Sequence, residues 1–520
     1  MATHDEIVAF LSTAGVVGPG QPRIFETHIA FVFVAGGRAL KIKRPVKLAF
    51  LDFSTLQARH RACLSEIAVN RANAPEIYRG VIAMTREADG TLAIGGRGEP
   101  VEWAVEMAAF EDRDLLLRRT QQGPLDALLM RQTTDAIYAM HQRSVRADSV
   151  DAPAKMRAIV EEISEICRQC PDVLAAGDVD AFEGAARAAC ASATGLLQAR
   201  VRQGAFRRCH GDLHLANIVI WKGKPTLFDA LEFSDEMATV DTLYDLAFLL
   251  MDLIHHGQRA AANNVLNRYL WRSGGVLGAS QDIEALALMP LYLACRGGIR
   301  AMVAATRAPS QHLQAKEREI VVQDARGYLS EAIAALAPPP PRLIAVGGLS
   351  GSGKSTLAAQ LARHIGGPLG ALHMRSDLER KAMMGVEETE RLPGEHYTRE
   401  AAQRVYERIL RRSTAALKAN QSVVVDAVFS KPEERERLAA MARTLAIAFD
   451  GLWLQADPQI LQERVAGRRG DASDATREVV ERQLQYDLGG LDWARIDAAG
   501  TPDATLKLAL SALGCAANTL

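Results

Sequence analysis

Nowhere does the chain run the roughly 18 to 20 consecutive apolar residues that a bilayer-spanning helix needs, so no membrane partner is expected. The first residues, MATHDEIVAFLSTAG, carry no basic segment ahead of an apolar core, and no secretory leader is read there. Charge of one sign is missing too. The 61 Lys and Arg stand against 62 Asp and Glu, which leaves no global pull towards nucleic acid or an anionic membrane surface. Aromatic residues make up only 5% of the chain, with 5 Trp, so no stacking platform for single-stranded nucleic acid is offered. Cysteine is sparse and odd in number, 7 in 520 residues, which fits reduced thiols in a cytoplasmic protein and not a disulfide framework. Cys167 and Cys170 form a lone CxxC inside a helical pattern, with no second pair and no His at ligand spacing, so metal or redox use is not favoured. There is no internal repeat and no long low-complexity run.

What is present is ordinary globular composition, 48% apolar and 24% charged, in a chain too long for one core. The sharpest break is Pro338–Pro341, ahead of Arg342; four prolines cannot continue a helix and favour an extended spacer. This divides the chain into residues 1–336, a linker at 337–342, and residues 343–520. Within the first part, FVFV and ALKIK flank Gly36-Gly37, and VIAMT and TLAI flank Asp89-Gly90, both hairpin signals. Between them residues 54–72 have helical spacing, with Ser54 as the expected N-cap. Residues 124–202 and 241–336 are mostly helical in period. A sheet-rich lobe to about residue 110, followed by a helix-rich lobe over 111–336, predicts an α+β bilobal domain with a cleft between its lobes. Beyond the linker, RLIAVGG, SVVVDAVF and IAFDGLWLQA are continuous apolar strands separated by helical segments, the pattern of an α/β domain with a covered parallel sheet.

Two constellations carry chemistry. In CHGDLHLANIVIW, Asp212 and Asn217 stand five apart before a strand, and a Gly223 turn leads to a second strand ending near Asp229. A carboxylate that orients an attacking hydroxyl, and hard oxygens for Mg²⁺, are what phosphoryl transfer needs. HGDLHLAN followed by FD resembles the catalytic loop and metal-binding Asp of the aminoglycoside phosphotransferase and choline-kinase-like group, relatives of the protein kinases, over about residues 25–330. The resemblance implies that Asp212 is the base and that Asn217 and Asp229 hold Mg²⁺. It implies further that Lys41 binds the nucleotide phosphates and Glu66 pairs with it, and that the adenine hinge lies around Glu106 and Met107. Lys43, on the same face of its strand, is the competing lysine. Two features depart from the family pattern: no GxGxxG precedes Lys41, and Asp229 is followed by ALEF, so that Glu232 becomes a candidate for an added ligand or for substrate binding. His210 is read as packing that shapes the loop, and Asp241 and Asp245 as caps or braces.

The second constellation is GLSGSGKS, which satisfies GxxxxGK[ST] between a strand and a helix. Gly348, Ser350, Gly351, Ser352, Gly353 and Thr356 form or flank the cradle; Lys354 reaches the terminal phosphates; Ser355 offers its hydroxyl to Mg²⁺. Asp377 and Arg380 form a DxxR unit, Asp426 ends a strand, and Arg464 and Arg468 lie on a segment with the composition of a lid. This arrangement is similar to small-molecule and polynucleotide P-loop kinases, including gluconate-kinase-like and zeta-toxin-like proteins, over residues 342 to about 490. The likeness implies Asp377 as base, Arg380 as a ligand for an acidic substrate group, and Asp426 as organiser of the metal's water shell. The bland alternative for Asp377 is a helix N-cap.

Three functions are open on sequence alone: a bifunctional ATP- and Mg²⁺-dependent phosphotransferase acting on small hydroxyl compounds, a P-loop kinase regulated by a non-catalytic kinase-like domain, and a kinase of nucleic-acid 5′-hydroxyls.

Overall fold

The computed structural model describes residues 4–48, 51–310, 313–467 and 471–515. Packing groups them into two units, Met1–Val150 with Arg200–Leu249, and Asp151–Ala199 with Leu250–Leu520.

The first unit is built on an antiparallel sheet. Its strands are β1 (Arg23–Glu26), β2 (Ala30–Ala35), β3 (Arg38–Lys43), β4 (Tyr78–Arg86), β5 (Leu92–Ile94) and β6 (Glu99–Ala108), in the order β1-β2-β3-β6-β4-β5. Helix α1 (His4–Leu11) covers one face, where Ile7 and Leu11 pack on Phe33, Leu40 and Ile42. Helix α2 (Leu56–Asn70) covers the other, where Cys63 packs with Ala39, Tyr78 and Val105. The period of two along β3 therefore sends Leu40 and Ile42 to α1, and Lys41 and Lys43 to α2. Helix α2 starts one residue later than expected. Thr55 accepts the Ala58 N–H at 3.1 Å, whereas Ser54 is turned back onto Asp52. After helix α3 (Ala127–Arg143) the unit is completed by β7 (Phe206–Arg208), the hairpin β8 (Ile218–Trp221) and β9 (Lys224–Leu227), and β10 (Thr239–Asp241).

Helices α4 (Ala152–Arg168) and α5 (Ala176–Arg202) precede that hairpin, and α6 (Thr242–His255) follows it. In the second unit come α7 (Arg259–Gly274), α8 (Met289–Arg307) and α9 (Ala315–Ala335). Among the described residues one helical stretch, Gln281–Arg307, is long and apolar enough to cross a membrane by length and composition, and 67% of its 18-residue apolar window is buried inside the fold, as in a core helix.

At the proline run the architecture changes. Strand β11 (Arg342–Gly348) opens a five-stranded parallel sheet with β12 (Leu372–Arg375), β13 (Val423–Asp426), β14 (Ala448–Gln455) and β15 (Ala494–Asp497), in the order β12-β13-β11-β14-β15. Helices α10 (Lys354–His364), α11 (Ser376–Met384), α12 (Arg399–Lys418), α13 (Pro432–Thr444), α14 (Pro458–Ala466), α15 (Arg477–Leu484) and α16 (Pro502–Ala512) connect and follow the strands. Ile344, Val346, Leu357, Leu361, Val424 and Leu454 form its core, which explains why these strands read as unbroken apolar runs. The α+β and then α/β order expected from the sequence is the order observed. By packing, however, α4, most of α5 and α7 to α9, which precede the proline run, group with the parallel sheet after it.

Candidate functional site

In the first unit the loop after β7 is fixed from behind. Asp245 of α6 accepts the N–H groups of His210 at 3.2 Å and Gly211 at 2.8 Å, and its carboxylate also meets His141 at 3.1 Å. Gly211 has φ of +82°, and a Cβ there would lie 3.1 Å from Leu231, so the turn needs glycine. His210 is buried and meets the Phe228 carbonyl at 3.0 Å; burial holds its imidazole below the ordinary value. Asp241 pairs with Arg200 through two bonds of 2.8 Å and accepts the Leu243 N–H. Asp212 and Asn217 meet directly: the Asn217 amide donates to the Asp212 carbonyl at 2.8 Å and to its carboxylate at 2.9 Å. With its N–H₂ so engaged, Asn217 keeps its oxygen as the free end of the amide, a hard donor of the kind Mg²⁺ takes.

Asp229 follows the hairpin in a left-handed conformation, φ +58°. The Tyr78 hydroxyl accepts its N–H at 3.0 Å, and its carboxylate accepts Lys41 Nζ at 2.6 Å. Lys41 also donates to Glu66 at 2.9 Å. Lys43, fully buried, donates to the other Glu66 oxygen at 2.5 Å and to Glu232. The expected Lys41–Glu66 pair is present, and Lys43 shares the same glutamate. Burial disfavours both ammonium groups, yet Asp229, Glu66 and Glu232 hold Lys41 well above its ordinary value, and Lys43 is raised for the same reason. Glu66 is held low because both lysines offset the cost of its burial, whereas burial leaves Glu232 raised. Glu232, expected to hold substrate or a metal, is instead buried against Lys43, since a carboxylate so enclosed needs a cation. Glu106 and Met107 lie within β6, paired on both sides, and the Glu106 carboxylate accepts Arg38 at 2.9 Å; the chain leaves the sheet only at Ala109.

The second unit carries the glycine loop between β11 and α10. Gly348, Gly351 and Gly353 have φ of +145°, +87° and +86°, and a Cβ on Gly351 would lie 2.3 Å from the Leu461 carbonyl oxygen. The Ser352 hydroxyl is buried with no hydrogen-bond partner among the described residues, a donor that a phosphate oxygen would satisfy. Lys354 reaches the Leu349 carbonyl at 3.5 Å, and Ser350 N–H donates to the Gln483 side chain at 2.7 Å. Ser355 Oγ donates to Asp426 at 3.2 Å, and His373 Nε2 meets the other Asp426 oxygen at 2.9 Å. Burial works against ionisation of Asp426, but His373, Arg375 and Lys354 keep its carboxyl below the ordinary range. An alcohol beside an ionised carboxylate is a donor set that suits Mg²⁺. A cavity of about 230 Å³ adjoins the loop, lined by Gly351, Ser352, Gly353, Thr356, Arg464 and Ala498.

The acceptor-side residues are placed on α11. Asp377 sits in its first turn, half-buried, and Arg375 occupies the N-cap position, so Asp377 is not the cap. Arg380 donates to the His396 carbonyl at 3.0 Å, lies 4.8 Å above the Tyr397 ring, and has a buried Nε with no partner. Arg464, expected to bind the nucleotide, lines the cavity beside the loop. It ends α14 and spends its guanidinium on the carbonyls of Ala498, Ala499 and Gly500 at 2.8 to 3.2 Å. Arg468 lies outside the described residues.

Residues 343–487 match the family described as AAA domain. Over 495 residues the chain is 30% identical to Uncharacterized protein Rv2004c of Mycobacterium tuberculosis, a match that spans 91% of this chain and 92% of that protein. The chain belongs to the same family. Among solved structures, the carboxy-terminal part is similar to a gluconokinase from Sinorhizobium meliloti 1021, at 22% identity, 34% of this chain, 92% of that one and a TM-score of 0.26. A choline/ethanolamine kinase family protein from Mesorhizobium loti matches at 16% identity, 64% of this chain, 98% of that one and a TM-score of 0.37.

Several residues at these sites have no signal in the sequence. Asn70 and Ser65 of α2 hold the segment after Asp229: Asn70 accepts the Ala230 N–H at 2.7 Å, and Ser65 donates to the Glu232 carbonyl at 2.8 Å. Tyr78, Gln483, His373 and Arg375 join their sites only through folding. For His373 and Arg375 a clue existed, since alternate residues of LHMR in an edge strand project to one side.

Proposed function

We propose that this member of the family is a bifunctional ATP- and Mg²⁺-dependent phosphotransferase, with one site in each unit, that moves a γ-phosphoryl group to hydroxyl groups of small molecules in a reducing cytoplasm. The observation that supports it most is the separate gathering, in each unit, of hard oxygen donors and a lysine: Asn217, Asp229 and Lys41 in one, Ser355, Asp426 and Lys354 in the other. In the first site Asp212 takes the proton of the acceptor hydroxyl while the Asn217 amide fixes its carboxylate. Lys41, kept charged by Glu66, steadies the phosphates. In the second, the backbone N–H groups of the glycine loop and Lys354 bind the phosphates, Asp377 takes the acceptor proton, and Arg380 holds an acidic group of the acceptor. Mg²⁺, held by Asn217 and Asp229 in one site and by Ser355 with Asp426 in the other, would offset the charge on the transferring group.

A second reading makes the first unit a nucleotide-responsive regulator of the P-loop site. It is favoured by the connection from β1 to β2, residues 27–29, which carries no glycine, and by the Lys41–Asp229 ion pair across the metal position.

ADP release across a panel of hydroxyl compounds separates the two. Asp212→Ala should abolish one set of activities and Lys354→Ala the other, each by about 10² to 10⁴ in rate. Loss of every activity in Lys354→Ala alone would leave the regulatory reading standing.

A further inference from the structure

We infer that helix α7, which precedes the proline run, is a working part of the P-loop site: it closes the free edge of β12 and positions the acceptor-side residues of β12 and α11. The inference rests on the reading of residues 343–520 as a phosphotransferase.

Strand β12 is an edge strand, hydrogen-bonded to β13 on one side only. Its outer backbone groups would otherwise be left to water or to another chain. Two amides of α7 take the place of a neighbouring strand. Asn263, buried, donates to the carbonyls of Leu369 at 2.8 Å and Ala371 at 2.9 Å. Asn267 accepts the His373 N–H at 2.7 Å and donates to the Ala371 carbonyl at 3.3 Å. One turn further along, Trp271 Nε1 donates to the Leu378 carbonyl of α11 at 3.1 Å. Positions 263, 267 and 271 recur every four residues, so a single stripe of the helix meets the approach to β12, its middle, and the start of α11 in succession.

The grip is returned from the other side. Arg408 of α12, buried, donates to the Gly275 and Val276 carbonyls at 2.8 Å each, and Arg412 to those of Leu270 and Ala279 at 3.0 and 2.9 Å. Arg408 also bonds Glu379, which adjoins Arg380 and lies two residues from Asp377. The helix that carries the acceptor-side pair is therefore held between α7 and α12.

A continuous path leads to the loop: Asn267 to the His373 backbone, His373 to Asp426, and Asp426 to Ser355. Nucleotide phosphates meet residues 348–356, whose backbone is held by β11 and α10; the path from α7 reaches them at the Ser355 hydroxyl, through His373 and Asp426. Asn263 and Asn267 are thus positioning residues that act first on the transfer step, through β12 and α11, and reach the nucleotide only indirectly, through His373 and Asp426.

The full-length chain carrying Asp229→Asn, which removes MgADP binding and turnover at the first site, is the test background. Variants Asn267→Leu and Asn267→Asp are compared, the second keeping an acceptor for the His373 N–H. Readouts are ADP release from MgATP with water as acceptor, MgADP affinity by calorimetry, and amide exchange by mass spectrometry. Losing one such backbone bond should speed exchange over 371–375 about tenfold and lower kcat about tenfold in Asn267→Leu. MgADP affinity should stay within about twofold of its starting value. Asn267→Asp should recover most of the kcat. Unchanged kcat and exchange in Asn267→Leu overturns the inference. So does a joint fall in MgADP affinity and in protection of 343–364, which marks general loss of structure, and so does an Asn267→Asp variant as impaired as Asn267→Leu. Failure of the phosphotransferase reading shows separately, as ADP release that survives Lys354→Ala, and the exchange data then still decide whether α7 holds β12.

Discussion

Lys43 illustrates how one residue can be chemistry's neighbour without being its agent. It is enclosed with Glu66 and Glu232, and its charge offsets part of the cost of burying both carboxyl groups. Lys43→Met should cost about 3–5 kcal/mol in the denaturant transition of the first unit, because buried Glu232 loses its cation and Glu66 one of its two. Lys43→Arg, which retains the charge, should cost less. Asp426 gives a pH dependence of known sign. Its folded-state carboxyl is held below the ordinary 3.8, so the stability it contributes is fully present above that value and is lost as pH falls through the depressed one. Urea midpoints measured between pH 3 and pH 7 should show this acid limb in the wild type and a flatter one in Asp426→Asn; equal limbs would mean that another carboxylate is responsible.

Among the elements, α2 does the most for the first site. It supplies Glu66 to the lysines, Asn70 to the backbone of Ala230, and Ser65 to the carbonyl of Glu232. Asn70→Ala removes the bonds to Ala230 and frees the segment that orients Asp229. About tenfold lower kcat in the first site's ADP release is the expected result, with a stability loss of about 1–3 kcal/mol from the Ala230 groups left unpaired. The helix itself was legible from its spacing, as were both early hairpins and the three long apolar strands. Its exact start was not, because Ser54 and Thr55 are equivalent caps until Asp52 engages one of them. Short β15 escaped notice, since four residues of mixed polarity carry no pattern. Asp212, Asn217 and Asp229 could be read because the loop and hairpin that join them are local in sequence. Lys43 and Glu232 meet across 189 residues, and no local rule places that pair.

On the scale of the whole molecule, the proline run marks where architecture changes, and packing does not follow it. Leu250–Ala335 groups with the parallel sheet because α7 supplies buried polar partners to β12 and α12 reaches back to the end of α7. Composition locates a spacer; only the fold reveals which surfaces it joins. The central claim is that two independent nucleotide sites share one chain, and calorimetric titration with MgADP counts them. Two molecules should bind per wild-type chain, one each to Lys354→Ala and Asp229→Asn, and none to the double variant. A stoichiometry of one in the wild type, abolished by Lys354→Ala and untouched by Asp229→Asn, would contradict it.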